Sequence, residues 1–111
     1  MTHRHEIEVG DWHDMRDALL RARQAGLAPT LVSPANAAAT YGAGFLAALE
    51  RRARAEFPDV AFAFVVDCGD APGHALACLR SGLRRLSMTE PNERVADIAR
   101  QMGAELTRRP T

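Results

Sequence analysis

The sequence predicts one α/β domain of (βα)4β form, with five strands in a mainly parallel sheet. Three observations lead there. First, helical patterns stop three times at a glycine that is followed by a short extended segment: "RARQAG-LAPTLVS", "CLRSG-LRRLSM" and "ARQMG-AELTR", at Gly26, Gly82 and Gly103. Glycine just past a helix end supplies the left-handed residue of a helix cap. The repeated grammar of helix, glycine, loop and strand is that of βα units. Second, "AFAFVVD" is apolar at odd and even positions alike, as expected of a central strand covered on both faces. Third, 111 residues suit a single domain.

The elements follow in order. The first strand is His5 to Val9, with residues 1–4 expected to fray. The first helix runs from about Asp11 to Ala25, with Met15, Ala18, Leu19 and Ala22 at helical spacing. The second strand is Thr30 to Ser33. The second helix runs from Ala43 to Glu56, puts Phe45, Leu46, Leu49 and Ala53 on one face, and is stopped by Pro58. The third strand is Ala61 to Asp67. The third helix runs from Pro72 to Ser81, is capped by Asp70, and buries Ala75, Leu76 and Leu79. The fourth strand is Arg85 to Met88. The fourth helix starts near Pro91 and buries Val95, Ile98, Ala99 and Met102. The last strand is Ala104 to Arg108.

Two strand orders compete. The flavodoxin-like order 2-1-3-4-5 gives an open sheet with helices on both faces, and the apolar third strand favours it. The consecutive order 1-2-3-4-5 puts every right-handed crossover on one side and leaves the other face bare. That arrangement, a half-barrel, calls for a dimer to cover the third strand. The alternating polarity of "HEIEV" and "ELTR" fits strands at or near the edges.

Composition removes several function classes. Formal net charge is zero and aromatics make up 5% of residues, so neither a basic field nor a base-stacking surface points to nucleic acid. No apolar run reaches the roughly 18 residues of a membrane span. The N-terminal segment has no signal-peptide pattern, so the cytoplasm is the expected location, and the two cysteines are expected as thiols. All 14 basic residues are arginine. Schiff-base chemistry and the standard phosphate-loop lysine therefore have no residue to use. Arginine in place of lysine, with abundant alanine, suggests a GC-rich bacterial genome.

In parallel α/β sheets, ligands bind beyond the carboxyl ends of the strands. Two loops there stand out. "SPANAAATYGAG", Ser33 to Gly44, is long for a βα loop and ends in Gly-x-Gly at a helix start. It reads either as an anion cradle, with Ser33, Asn36, Tyr41, Gly42 and Gly44 as contacts, or as a helical turn and a tight corner. "VVDCGDAPGHA" places Asp67 at the end of the central strand, followed by Cys68, Gly69 and His74. Asp67 is a candidate general base or ligand acceptor; alternatively, it accepts amide hydrogen bonds from its own turn. Cys68 and His74 are candidates to assist it, although a lone cysteine is more often a buried small hydrophobe. The spacing matches no zinc pattern, and neither a metal nor a cofactor is expected.

The length and the Asp closing the third strand resemble receiver domains of two-component signalling. In such domains a Ser or Thr ends the fourth strand, here Ser87 or Thr89. The acidic pair after the first strand is missing, and the final-strand lysine cannot exist in this chain. The stretch "VVDCGDAPGHALACLRSGLRRLSM" more closely resembles a βαβ unit of TIM-barrel-type proteins and of small bacterial α/β proteins with an Asp-Cys-Gly-Asp turn. The resemblance implies fold, and no activity transfers with it. Three readings result: a binding or accessory module for a small anionic metabolite or a partner protein, a small lyase- or isomerase-like enzyme using Asp67, and a homodimeric half-barrel with an interfacial site.

Overall fold

Helix-glycine-strand punctuation organises the structure, a computed structural model that describes residues 6–110. The expected tail over residues 1–4 and the start of the first strand at His5 lie outside the described residues. The elements are β1 (Glu6–Glu8), α1 (Trp12–Ala25), β2 (Thr30–Val32), α2 (Ala37–Tyr41), α3 (Ala43–Glu56), β3 (Ala63–Asp67), α4 (Pro72–Arg80), β4 (Arg85–Met88), α5 (Glu93–Gln101) and β5 (Glu105–Arg108). Gly26, Gly82 and Gly103 all have positive φ, as their position past helix ends requires. The Asp11 carboxylate caps α1 by accepting the Asp14 N–H at 2.8 Å. The buried stripe of α1 is Met15, Ala18, Leu19 and Ala22, the four residues set by its periodicity.

The five strands are all parallel and lie in the order β1-β2-β3-β4-β5. This corrects the flavodoxin-like order: β1 is an edge strand, not an inner one. The reason is its polarity. Glu6 and Glu8 are exposed, and an inner strand would have to bury them at a cost no partner offsets.

Consecutive order with right-handed crossovers places the helices on one side. There α1 packs on α3, α3 on α4 and α4 on α5. Leu31, Phe64, Val66, Leu86 and Met88 point into this layer and are at most 2% exposed. Among the described residues, the opposite face carries no helix. Its central residues Val32, Ala63 and Val65 are half-buried, and Glu6, Glu8, Arg85, Glu105 and Thr107 are exposed. The third strand is central as expected, but the described residues place helices over only one of its faces.

Four local expectations are corrected. Phe45 is exposed rather than on the buried stripe of α3, and its ring lies 5.9 Å from that of Tyr41. Met102 is likewise exposed, just past the end of α5. Asp70 does not cap α4: the N-cap is Ala71 in extended conformation, with Pro72 in the first turn. Asn92 rather than Pro91 sets the start of α5, its side chain accepting the Arg94 and Val95 N–H groups. Two arginines of the Arg51–Arg54 run are paired along α3. Arg52 bonds Glu56 and stacks over Trp12 at 4.0 Å, while Arg54 bonds Glu50 and stacks over Phe62 at 4.1 Å.

Candidate functional site

The carboxyl end of β3 is held by one side chain. Asp67 is 2% exposed, and both its carboxylate oxygens are engaged. Oδ1 accepts the Ser87 hydroxyl at 2.8 Å. Oδ2 accepts the Asn36 N–H at 2.6 Å and the Gly69 N–H at 3.1 Å. The guanidinium of Arg109, just past β5, lies 3.6 Å from the same oxygen. The Asp67 backbone N–H is held as well, donating to Ser33 Oγ at 2.8 Å. One carboxylate thus ties together the loops after β2 and β3, the end of β4 and the residue following β5.

The loop geometry explains the residue types around it. Asn36 has φ of 57° and Gly69 of 62°, both left-handed, and each turns its N–H toward the carboxylate. A Cβ at Gly69 would also come within 2.6 Å of Asn36 Oδ1. The left-handed backbone favours glycine at position 69, and a Cβ there would push aside the tip of the exposed Asn36 side chain. The remaining polarity of "DCGD" is solvated: Asp70 is exposed.

Of the residues singled out from the sequence, the structure brings together Ser33, Asn36, Asp67 and Gly69. Tyr41, Gly42 and Gly44 lie at the α2–α3 corner, where Gly42 takes φ of 88° as both C-cap of α2 and N-cap of α3. His74 is exposed in the first turn of α4. Cys68 points away from the carboxylate toward the helices. Its Sγ lies 3.9 Å from that of Cys78, and both residues are fully buried free thiols. The adjoining Cys78 thiol, and after it burial, push the Cys68 thiol up from its ordinary range. A thiol in that state is a poor nucleophile, since the thiolate is the reactive form. Because both thiols are fully buried, a thiol-exchange reagent should label neither cysteine in the native protein faster than the fold opens, and both should react at once in denaturant. Rapid native labelling of Cys68 would show that the pair is accessible.

The open side of the site is the helix-free face. A cavity of about 380 Å³ lies on it, with Val32 and Val65 near its centre and Arg85, Ser87, Thr107 and Arg109 toward β4 and β5. Of the sequence candidates, Ser33 lines this cavity. The residues that sequence reasoning missed are Arg109, Thr107 and Arg85. Ser87 surfaced only through the receiver-domain resemblance, which maps it or Thr89 to the end of the fourth strand.

The chemical capacity of the site follows from these contacts. A general base needs an acceptor lone pair facing its substrate, and the Asp67 oxygens already serve two amides, a hydroxyl and a guanidinium. From β4 onward the cavity is lined by the Ser87 and Thr107 hydroxyls, the guanidinium groups of Arg85, Arg108 and Arg109, and the Glu105 carboxylate. Arg85 is drawn toward Glu105 at 3.1 Å. Arg109 is held by Asp67 at the longer distance of 3.6 Å, and its side chain is about one-third exposed. Among the described residues, no three His, Cys, Asp or Glu side chains form a group able to hold a metal ion, and no helix is long and apolar enough to cross a membrane. Compared with known proteins, the chain matches no family model and no curated protein.

Proposed function

We propose that the chain is a binding module that takes a small anion at the carboxyl corner of its helix-free sheet face. Arg109 would be the charged contact and Thr107 the hydroxyl beside it, with Asp67 as the positioning residue beneath them. The observation that carries this reading is the cavity itself. It spans the helix-free face, and Ser33, Ser87, Thr107 and Arg109 form its carboxyl-end side, the end at which ligands bind in parallel sheets. Arg109 enters it there with one guanidinium nitrogen near Asp67. A guanidinium has five donors in a planar fork, so this anchoring leaves donors to offer a carboxylate or phosphate. The volume of about 380 Å³ suits a small metabolite, since ligand pockets begin at roughly 300 Å³. Little supports the enzyme reading: Asp67 is fully engaged, Cys68 is buried against Cys78, and His74 is exposed.

Thermal unfolding in inorganic phosphate and in citrate, each against chloride at equal ionic strength, tests the proposal. A ligand present at about 100 times its dissociation constant adds about 2.7 kcal/mol of stability. The midpoint should rise in at least one of the two anions. Arg109→Ala should abolish that rise while leaving the fold intact, because Asp67 keeps its three hydrogen-bond donors. A midpoint that neither anion moves, or a rise that survives in Arg109→Ala, overturns the proposal.

A further inference from the structure

We infer that the helix-free face is a self-association surface that takes a second copy of this chain. The twofold axis runs parallel to the strands, between β2 and β3. The argument comes from strand register. Glu8 pairs with Val32, Val32 with Val65, and Arg85 with Glu105. Extending the Val66–Leu86 register back by one residue sets Val65 beside Arg85. One row across the bare face therefore reads Glu8, Val32, Val65, Arg85, Glu105: a valine pair with an acid on one side and a base on the other. Below it, Thr30 pairs with Ala63. An apolar centre with a charged rim is the usual anatomy of a protein interface.

Charge selects the axis. An axis parallel to the strands keeps every residue at its own height along the sheet and reverses the strand order across the interface. Placed between β2 and β3, it seats Val32 on the partner's Val65 and Glu8 on the partner's Arg85, and symmetry gives each contact twice. Placed on β3 itself, it would set Glu8 against the partner's Glu105. An axis across the strands would stack the acidic β1 edge on its own copy. Facing sheets lie about 10 Å apart, a gap that a glutamate and an arginine side chain together span. This packing covers the part of the cavity lined by Val32, Val65 and Arg85 and leaves β5 outside the overlap, so only the Thr107–Arg109 corner stays open to an anion. The face of five short strands is small beside the roughly 800 Å² per partner of a standard interface, so the association is reversible.

Sedimentation velocity from micromolar to millimolar concentration tests the inference. The chain should pass from monomer to dimer over that range. Glu8→Arg alone and Arg85→Glu alone should each associate roughly tenfold more weakly, because two attractive contacts become like-charge ones. An equimolar mixture of the two variants should dimerise again, because each acid then meets a base in the opposite chain. Restoration in the mixture cannot come from an effect on either fold. A chain that stays monomeric to millimolar concentration overturns the inference, as does a dimer unaffected by both substitutions or a mixture that stays as weak as its components. The readout is mass, so its failure is distinct from failure of the anion-binding experiment, which reads a thermal midpoint.

Discussion

Asp67→Ala is expected to remove about 3–5 kcal/mol of stability, counting three hydrogen bonds to a charged acceptor at roughly 1.5–3 kcal/mol each with incomplete additivity. Small domains hold about 5–15 kcal/mol in total, so this loss is a large share of the stability. The cost arises because the Asn36 and Gly69 amides and the Ser87 hydroxyl are arranged around one carboxylate. Alanine leaves all three facing a gap. Asp67→Asn should cost only about 1 kcal/mol. Its carbonyl oxygen can still accept both amides, and the Ser87 hydroxyl can turn to accept from the new NH2 group. Urea unfolding of the three proteins, compared by midpoint at constant slope, measures the contrast. An alanine variant within about 1 kcal/mol of the unsubstituted chain would mean that the loops hold themselves without the carboxylate.

That side chain also shows how far the sequence could be read. Its place at the end of a central strand was legible, because "AFAFVVD" is the one extended run apolar at both parities. One of its partners, the Gly69 amide two residues on, follows from the turn-forming habit of Asp. The other donors come from positions 31, 20 and 42 residues away. No local pattern marks Arg109, which follows the last strand as one of 14 arginines. Helix bounds such as Ala43–Glu56 were legible because a 3.6-residue period, Gly42 and Pro58 agree on them. Phe45 was not, since its period places it at the margin of the apolar stripe, and the packing of α2 decides on which side it falls. Strand order was half legible. Glu6 and Glu8 argued for an edge, while the doubly apolar third strand argued for cover on both faces. The sheet satisfied the first and left the second unmet, with helices on one face only among the described residues.

Neighbouring residues of that third strand should therefore respond differently to the same truncation. Phe64→Ala is expected to cost about 3–5 kcal/mol, the usual range for a large aromatic lost from a packed core. Phe64 is 2% exposed, on the face of β3 against the helices. Val65→Ala, one residue on, should cost only about 1 kcal/mol in the dilute protein, because the isolated chain leaves that side chain half-buried with no helix above it. A strand covered alike on both faces would give two large values, so the ratio tests the uncovered face directly by urea titration. Concentration sharpens the test. A second copy seated on Val32 and Val65 stabilises the folded state by mass action. The cost of Val65→Ala should then grow as protein concentration rises toward millimolar, while that of Phe64→Ala keeps its intramolecular value. A Val65→Ala cost as large as that of Phe64→Ala at every concentration would mean that the second face is already covered within a single chain.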